Sequence, residues 1–295
     1  MEPVGLIGFG VMGSEAGRKI LEAGYPLYVY DVTESSTNRA HEMGATIVQS
    51  PSRLGASCAV IVMFLPGPGQ VIDCVSGEDG ILQALPNGAT IIDHSTIDPG
   101  TTEAMAKLAA TKKVEYLDAP VLGRPSAVGH WALPIGGAEE VIKRCRPILA
   151  CYSANIMPVG KSGTGHKIKL LNQLMFSAIN AMTAEMMAVA NHIGIPTELL
   201  YDTIIGSKAG TVSNLFVELG RSITNENYDQ PTFSVDLLWK DLALALQMAK
   251  ENGAPPLLGQ FIQTINDIAR VQGLGTKDTS AMWQVYRPIW GRNGQ

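Results

Sequence analysis

The sequence predicts an α/β domain followed by an all-helical domain, joined by one long helix. Three observations carry this. Residues 1–162 alternate short β-rich runs with amphipathic stretches, the pattern that produces a parallel sheet covered by helices on both faces. From Thr164 to His192 the chain is rich in Leu, Met, Ile, Ala and Asn without a proline, and reads as one helix of about 40 Å. Beyond it only helical periods recur.

In order, the strands are Val4–Ile7, Leu27–Tyr30, Val60–Leu65, Thr90–Ile92 and Val114–Leu117, each a short β-branched or aromatic run. Helices Val11–Ala23 and Glu34–Met43 intervene, each followed by a glycine, Gly24 or Gly44, where a left-handed cap would end it. The later helices are Thr197–Ile205, Val235–Asn252, Leu257–Val271 and Thr279–Tyr286. Turn signals separate them at Gly194-Ile195-Pro196, Asn252-Gly253-Ala254-Pro255 and Gly273-Leu274-Gly275. The domains are therefore 1–162 and 163–295, with 163–192 as the connecting helix.

Composition narrows the function. The 22 Lys and Arg against 27 Asp and Glu leave a formal charge of −5, which provides no broad field for capturing a nucleic acid backbone. Anionic partners must be met by individually placed cations. No apolar stretch approaches the roughly 18 residues of a spanning helix, and Met1-Glu2-Pro3 leads straight into a strand instead of a basic, apolar leader. Cys58, Cys74, Cys145 and Cys151 lack CxxC or Cys/His ligand spacing and read as reduced thiols of a cytoplasmic chain.

The first strand runs into Gly8-Phe9-Gly10-Val11-Met12-Gly13 and then a helix, so a GxGxxG motif stands in strand-turn-helix context. Its glycines let backbone N–H groups and a helix N-terminus approach a pyrophosphate. Asp31 closes the second strand eighteen residues after Gly13, near the spacing of a carboxylate that binds an adenosine ribose. The first domain is therefore of the Rossmann type. A carboxylate there repels a 2′-phosphate, and the next cation, Arg39, stands two helical turns on, so NAD is favoured over NADP. Leu65 and Pro66 end the third strand at the sheet's carboxyl edge, where they can line the cofactor.

Three more clusters carry chemistry-capable groups. Asp93-His94-Ser95-Thr96 ends the fourth strand, Asp118 to Arg124 follows the fifth, and Gly163 to Gln173 opens the long helix. In that helix Lys169, Asn172 and Gln173 are spaced i, i+3 and i+4, so one amine and two amides share a face.

With these motifs in hand, the chain closely resembles the β-hydroxyacid dehydrogenase family. The carrying segments are Gly5-Leu-Ile-Gly-Phe-Gly-Val-Met-Gly13, Asp93-His-Ser-Thr-Ile-Asp-Pro99, Asp118-Ala-Pro-Val-Leu-Gly123, Gly163 to Gln173, and Phe233-Ser-Val-Asp-Leu-Leu-Trp-Lys-Asp241. The resemblance extends through Gly273 to Ala281. It implies that Lys169 is the catalytic lysine and that Asn172 and Gln173 neighbour it in the substrate pocket. It further implies that Thr96 and Lys240 contact cofactor or substrate, and that Leu122-Gly123-Arg124 holds the substrate's acid group. Helical domains of this family pair, so a homodimer or homotetramer is expected, with Trp283, Tyr286 and Trp290 as aromatic surface.

Elementary chemistry fits a lysine in this role, because oxidising an alcohol by hydride transfer needs a base for the hydroxyl proton and the reverse needs an acid. Burial in a domain cleft and a second cation, Lys240, are expected to lower the Lys169 pKa toward working pH. Asn172 is placed to hold the hydroxyl or the amine in line.

One departure stands out. The family's acid-binding loop usually reads Asp-Ala-Pro-Val-Ser-Gly-Gly, whereas this chain has Leu122 for the serine and Arg124 for the second glycine. A guanidinium fork suits a carboxylate, sulfonate or phosphonate. Either Arg124 recognises the substrate's anionic group, or it points to solvent or another subunit. The leading function is thus NAD-dependent interconversion of a small 3-hydroxy acid and its semialdehyde. The alternatives are a reductase of a sulfonated aldehyde of the sulfolactaldehyde type and a non-catalytic NAD-sensing relative; Lys169 argues against an imine reductase.

His41, His94, His130, His166 and His192 lack the spacing of a metal site and read as structural or surface residues, so no metal is expected. His166, one turn before Lys169, is the one placed to tune it. Trp131 and Trp239 read as core packing, with a pocket wall as the alternative.

Overall fold

The computed structural model describes residues 1–207, 213–254 and 256–286; Pro255 and Trp290 lie outside them. The chain forms two compact units, Met1–Lys169 and Leu170–Gln295. The first turn of the long helix therefore packs with the sheet unit.

That unit is built on an eight-stranded sheet. In chain order its elements are β1 (Val4–Ile7), α1 (Val11–Glu22), β2 (Leu27–Tyr30), α2 (Glu34–Glu42), β3 (Thr46–Ile47), α3 (Pro51–Ser57), β4 (Val60–Met63) and α4 (Pro68–Ser76). Then follow β5 (Thr90–Asp93), α5 (Pro99–Thr111), β6 (Glu115–Asp118), β7 (Trp131–Gly136), α6 (Glu139–Tyr152) and β8 (Ser153–Gly160). The strand order is β3-β2-β1-β4-β5-β6-β7-β8, and pairing is parallel except between β6 and β7, which meet antiparallel at Asp118 and Gly136. The order reverses beside β1, with β2 on one side and β4 on the other. Open α/β sheets bind their ligands in the crevice at such a switch point.

Alternate residues feed the two faces. Leu6, Val29, Val62, Ile92 and Leu117 pack with Ala16 and Ile20 of α1 and with Ile142, Cys145 and Leu149 of α6. Ile7, Ile61, Met63, Ile91 and Tyr116 pack with Leu54 of α3, Val71 and Val75 of α4, and Met105 and Ala109 of α5. Both faces are covered, as a parallel sheet requires.

Several expectations are corrected. The third expected strand ends at Met63 instead of Leu65, because Pro68 already occupies the first turn of α4. The fourth extends to Asp93 and the fifth shifts to Glu115–Asp118. β3, β7 and β8 join the five expected strands, and α3, α4, α5 and α6 join the two helices named between them. Gly24 and Gly44 do adopt the left-handed cap, with φ of +87° and +95°.

The second unit contains most of α7 (Thr164–His192), then α8 (Thr197–Ser207), α9 (Asn214–Thr224), α10 (Val235–Glu251) and α11 (Leu257–Val271), and ends in a 3₁₀ helix, Thr279–Val285. Helix α9 was not expected, and the last segment is 3₁₀ instead of α. Met187, Tyr201, Phe216, Val235, Leu238, Met282 and Trp283 form the core of this unit.

One buried polar cluster braces the sheet unit. His94 is sealed between Phe64, stacked at 4.7 Å, and Tyr152, edge-on at 5.5 Å. Its Nδ1 bonds the Ala119 carbonyl, which only a protonated nitrogen can do, so Nε2 accepts the Tyr152 hydroxyl at 2.9 Å. Burial pushes the His94 pKa down to about 4. Folded and unfolded chains both keep the ring neutral above about pH 6.5. Between there and about 4 only the unfolded chain takes up the proton, so stability is lost as pH falls. We predict that urea unfolding shows a loss of about 3 kcal/mol across that window, and that His94→Asn removes this component. An unchanged slope in the variant would exclude His94 as its source.

Candidate active site

The loop after β1 is shaped by backbone contacts. Gly8 has a φ of +87°, and a Cβ on it would lie 2.2 Å from the Phe64 carbonyl oxygen; a Cβ on Gly13 would lie 1.9 Å from Gly8 O. Above Gly10 there is open space, and no side chain caps α1. The N–H groups of Val11, Met12 and Gly13, the first turn of that helix, thus have room for a phosphate. The chain fits a dinucleotide here.

Asp31, at the end of β2, does two backbone tasks: Oδ2 accepts the Phe9 N–H at 2.6 Å and Oδ1 accepts the Thr33 N–H at 2.8 Å. Phe9 itself is a core residue. The expectation that Arg39 stands apart is corrected. Its Nη2 donates to the Phe9 carbonyl at 2.5 Å, and its guanidinium carbon lies 5.8 Å from the Phe9 ring centre. Eight residues along a strand and helix do not measure the reach of an arginine folded back over the loop.

The ends of β4 and β5 are tied together. The Phe64 N–H donates to Ile7 O at 2.8 Å, and the Leu65 N–H donates to the buried Ser95 Oγ at 3.0 Å. Leu65 and Pro66 are thereby fixed at the carboxyl edge of the sheet, with half-buried Thr96 next to Ser95.

At the end of β6 the fully buried Asp118 turns toward α7. Oδ1 accepts the Gly163 N–H at 2.8 Å and Oδ2 accepts the His166 N–H at 3.1 Å. Burial raises its pKa and the two N–H donors oppose the rise. Next on α7, Lys169 points its Nζ at the Val121 carbonyl, 2.8 Å away. The following loop is also held: Leu122 exchanges both backbone bonds with Ala132, at 2.9 and 3.1 Å. Gly123 lies against Trp131, whose ring a Cβ would strike at 2.5 Å, and Trp131 Nε1 donates to the Arg124 carbonyl at 2.8 Å. Trp131 is fully buried, so it backs the loop from the core. His166 is buried too, its Nδ1 2.6 Å from Thr102 Oγ1 and its Nε2 without a hydrogen-bond partner among the described residues.

In the helical unit Asn172 is exposed, whereas Gln173 is buried and donates to Asp241 Oδ2 at 2.6 Å. Asn172 Nδ2 lies 3.4 Å from Gln173 Oε1. Lys240 Nζ stands 2.6 Å from Asp241 Oδ1. Lys240, expected as the second cation of the site, carries this ion pair to its neighbour in the chain. Asp241, buried and holding both Lys240 and Gln173, was quoted only as part of a motif. Its adjacency to Lys240 was the available signal.

Two known families divide this chain between them. Residues 3–160 match the family described as the NAD binding domain of 6-phosphogluconate dehydrogenase, and residues 163–286 match that described as the NAD-binding of NADP-dependent 3-hydroxyisobutyrate dehydrogenase. The chain is also similar to 2-(hydroxymethyl)glutarate dehydrogenase of Eubacterium barkeri, 30% identical over 98% of this chain and 96% of that protein. The chain belongs to the β-hydroxyacid dehydrogenase family. A further relative, 3-sulfolactaldehyde reductase of Escherichia coli (strain K12), is 30% identical over 97% of this chain and 96% of its own. A crystal structure of 3-hydroxyisobutyrate dehydrogenase from Salmonella typhimurium matches with a TM-score of 0.90 and 26% identity, covering 97% of this chain and 100% of that one.

As a β-hydroxyacid dehydrogenase family member, the chain has an NAD(P)-binding domain of the Rossmann type and a helical domain of the 6-phosphogluconate dehydrogenase kind. Trp239 is held by α11, with Nε1 2.6 Å from Asp267 Oδ1 and Arg270 4.0 Å over its ring. Trp283 and Tyr286, expected as aromatic surface, are instead buried, with Trp283 Nε1 2.6 Å from the Tyr228 hydroxyl. Among the described residues no helix is long and apolar enough to cross a membrane.

Proposed function

We propose that this chain interconverts a small 3-hydroxy acid and its semialdehyde with NAD, using Lys169 as general acid and base. The observation that supports it most is the Lys169 amine held 2.8 Å from Val121 O, on the sheet edge that also carries the Gly8–Gly13 loop. The bound nicotinamide supplies or accepts the hydride. Lys169 Nζ takes the hydroxyl proton during oxidation and returns it to the carbonyl oxygen during reduction. Val121 O orients the amine, and Asn172, by family resemblance, keeps the reacting oxygen in line.

Gly8, Phe9, Gly10, Val11, Met12 and Gly13 hold the pyrophosphate, and Asp31 receives the adenosine ribose. Leu65, Pro66, Thr96 and Lys240 contact the rest of the cofactor. Leu122, Gly123, Arg124, Gln173 and Thr96 serve the substrate. Four free cysteines agree with a reducing, cytoplasmic setting.

A homo-oligomer is part of this reading. Leu171, Met175, Met182 and Val189 of α7, with Ile193 just beyond it, are exposed at three- and four-residue multiples along one stripe, which suits packing against a second copy. Light scattering of Met182→Glu should show a shift toward monomer; an unchanged mass would remove the stripe from the interface.

The Arg124 guanidinium and a sulfolactaldehyde reductase among the relatives support a second reading, reduction of a sulfonated aldehyde. For the main reading, Lys169→Ala should lower kcat by about 10²- to 10⁴-fold while NADH binding changes less than about threefold. Retained turnover would refute the lysine's role. Arg124→Ala should raise KM by about tenfold for its preferred anion, a 3-hydroxy acid or a sulfonate. A KM unchanged across such a panel would take Arg124 out of the pocket.

A further inference from the structure

Every residue from Val121 to Arg124 carries its own tether. Val121 O accepts the Lys169 amine at 2.8 Å, and Leu122 exchanges both backbone bonds with Ala132 of β7. Gly123 rests on the Trp131 ring, whose Cδ1, Cγ and Nε1 are the atoms nearest to where its side chain would be. The Arg124 carbonyl accepts Trp131 Nε1 at 2.8 Å and the Ala127 N–H at 3.0 Å. Two of these tethers end on one side chain. Trp131 is fully buried and is wedged by Phe64 at 6.4 Å and by Tyr152, edge-on at 6.1 Å, so it cannot tilt. Tyr152 is held in turn by His94, and its carbonyl accepts the Gly129 N–H at 2.9 Å, further along the same loop. A buried indole N–H needs an acceptor, and here the acceptor belongs to the residue that carries the guanidinium.

We infer that Trp131 is a positioning residue: by clamping the Arg124 carbonyl and filling the space beneath Gly123 it sets the spacing between the Lys169 amine and the Arg124 guanidinium, and so selects substrates by the length of carbon chain between hydroxyl and anionic group. The inference rests on the roles of Lys169 and Arg124 proposed above. An arginine side chain is long and flexible, so its fork has a defined place only when its backbone has one. The backbone from Val121 to Arg124 spans at most about 10 Å, and the clamp holds it at one value. The amine at one end meets the reacting oxygen and the guanidinium at the other meets the anion. An acid and its homologue one carbon longer then cannot both be aligned. A tryptophan that only filled the core would support folding and leave this selection untouched.

The test is steady-state oxidation, with NAD, of 3-hydroxypropanoate and of its longer homologue 4-hydroxybutanoate by the full chain. Wild type should prefer the shorter acid by about tenfold to a hundredfold in kcat/KM. Trp131→Phe removes the donor and part of the ring; it should narrow that ratio to within about threefold, mainly through a raised KM for the shorter acid, with NADH affinity changed less than about threefold. Gly123→Ala, at an exposed position whose added methyl meets the indole at 2.5 Å, displaces the loop without altering the core and should narrow the ratio in the same way. It carries the test if Trp131→Phe folds poorly. In an Arg124→Ala background, Trp131→Phe should change the ratio no further, because Trp131 acts through that guanidinium. A ratio unchanged in both Trp131→Phe and Gly123→Ala, or a wild type without preference, overturns the inference and leaves Lys169 and Arg124 in their roles. A wild-type KM in Arg124→Ala overturns the Arg124 reading and the inference with it. Oxidation of neither acid by wild type overturns the 3-hydroxy acid reading as well.

Discussion

The carboxylate of Asp118 is the fixed point of the sheet unit. It ends β6, it is buried, and it receives two N–H groups from the start of α7. No acidic residue of α7 itself lies in that helix's first turn, so the positive end of the helix is met by a charge from another element. Removing such a carboxylate from water is costly, and the raised pKa records that cost; the N–H donors and the helix dipole offset it. What results is a helix whose origin is pinned to the carboxyl edge of the sheet. Lys169, one turn after His166, then meets Val121, three residues after Asp118, without needing a long flexible arrangement. The Leu122–Arg124 loop extends the same frame, since it is stitched to Ala132 and backed by Trp131.

An acidic chain that handles anionic molecules depends on the placement of its few cations. The structure shows each candidate cation held by a neighbour instead of standing free. Lys240 is paired with Asp241, Arg39 leans on a carbonyl, and Lys169 donates to another. Lys240 shares its charge with the adjacent carboxylate, and the Lys169 amine is oriented by a backbone carbonyl.

Much of this was legible in the sequence, and the misses have physical causes. β1 and β2 are short runs of apolar residues ending at Gly8 and Asp31, so their signals were local. β7 escaped because Pro134 interrupts its β-branched pattern, and β8 because its exposed Asn155, Met157 and Pro158 belong to an edge strand that buries little. α4 hid behind Pro68-Gly69, which marks a turn in isolation and here starts a helix. α9 contains Gly220, a helix-weakening residue that is favourable here because Tyr201 packs against it. The roles of Arg39 and Asp241 depend on contacts spanning 30 and 68 residues, and no local pattern records those. Lys169, Asp31 and the glycine loop were found because motif spacing and element ends coincide at each of them.

The three glycines of that loop are not constrained alike. At Gly8 and Gly13 any side chain would collide with backbone, so the fold itself restricts those positions to one residue whatever is bound. Gly10 has ordinary backbone angles and empty space above it, so the fold would accept an alanine or serine there. Its glycine answers to something outside the chain. A descendant that kept this architecture and lost its ligand would drift at position 10 while 8 and 13 stayed fixed.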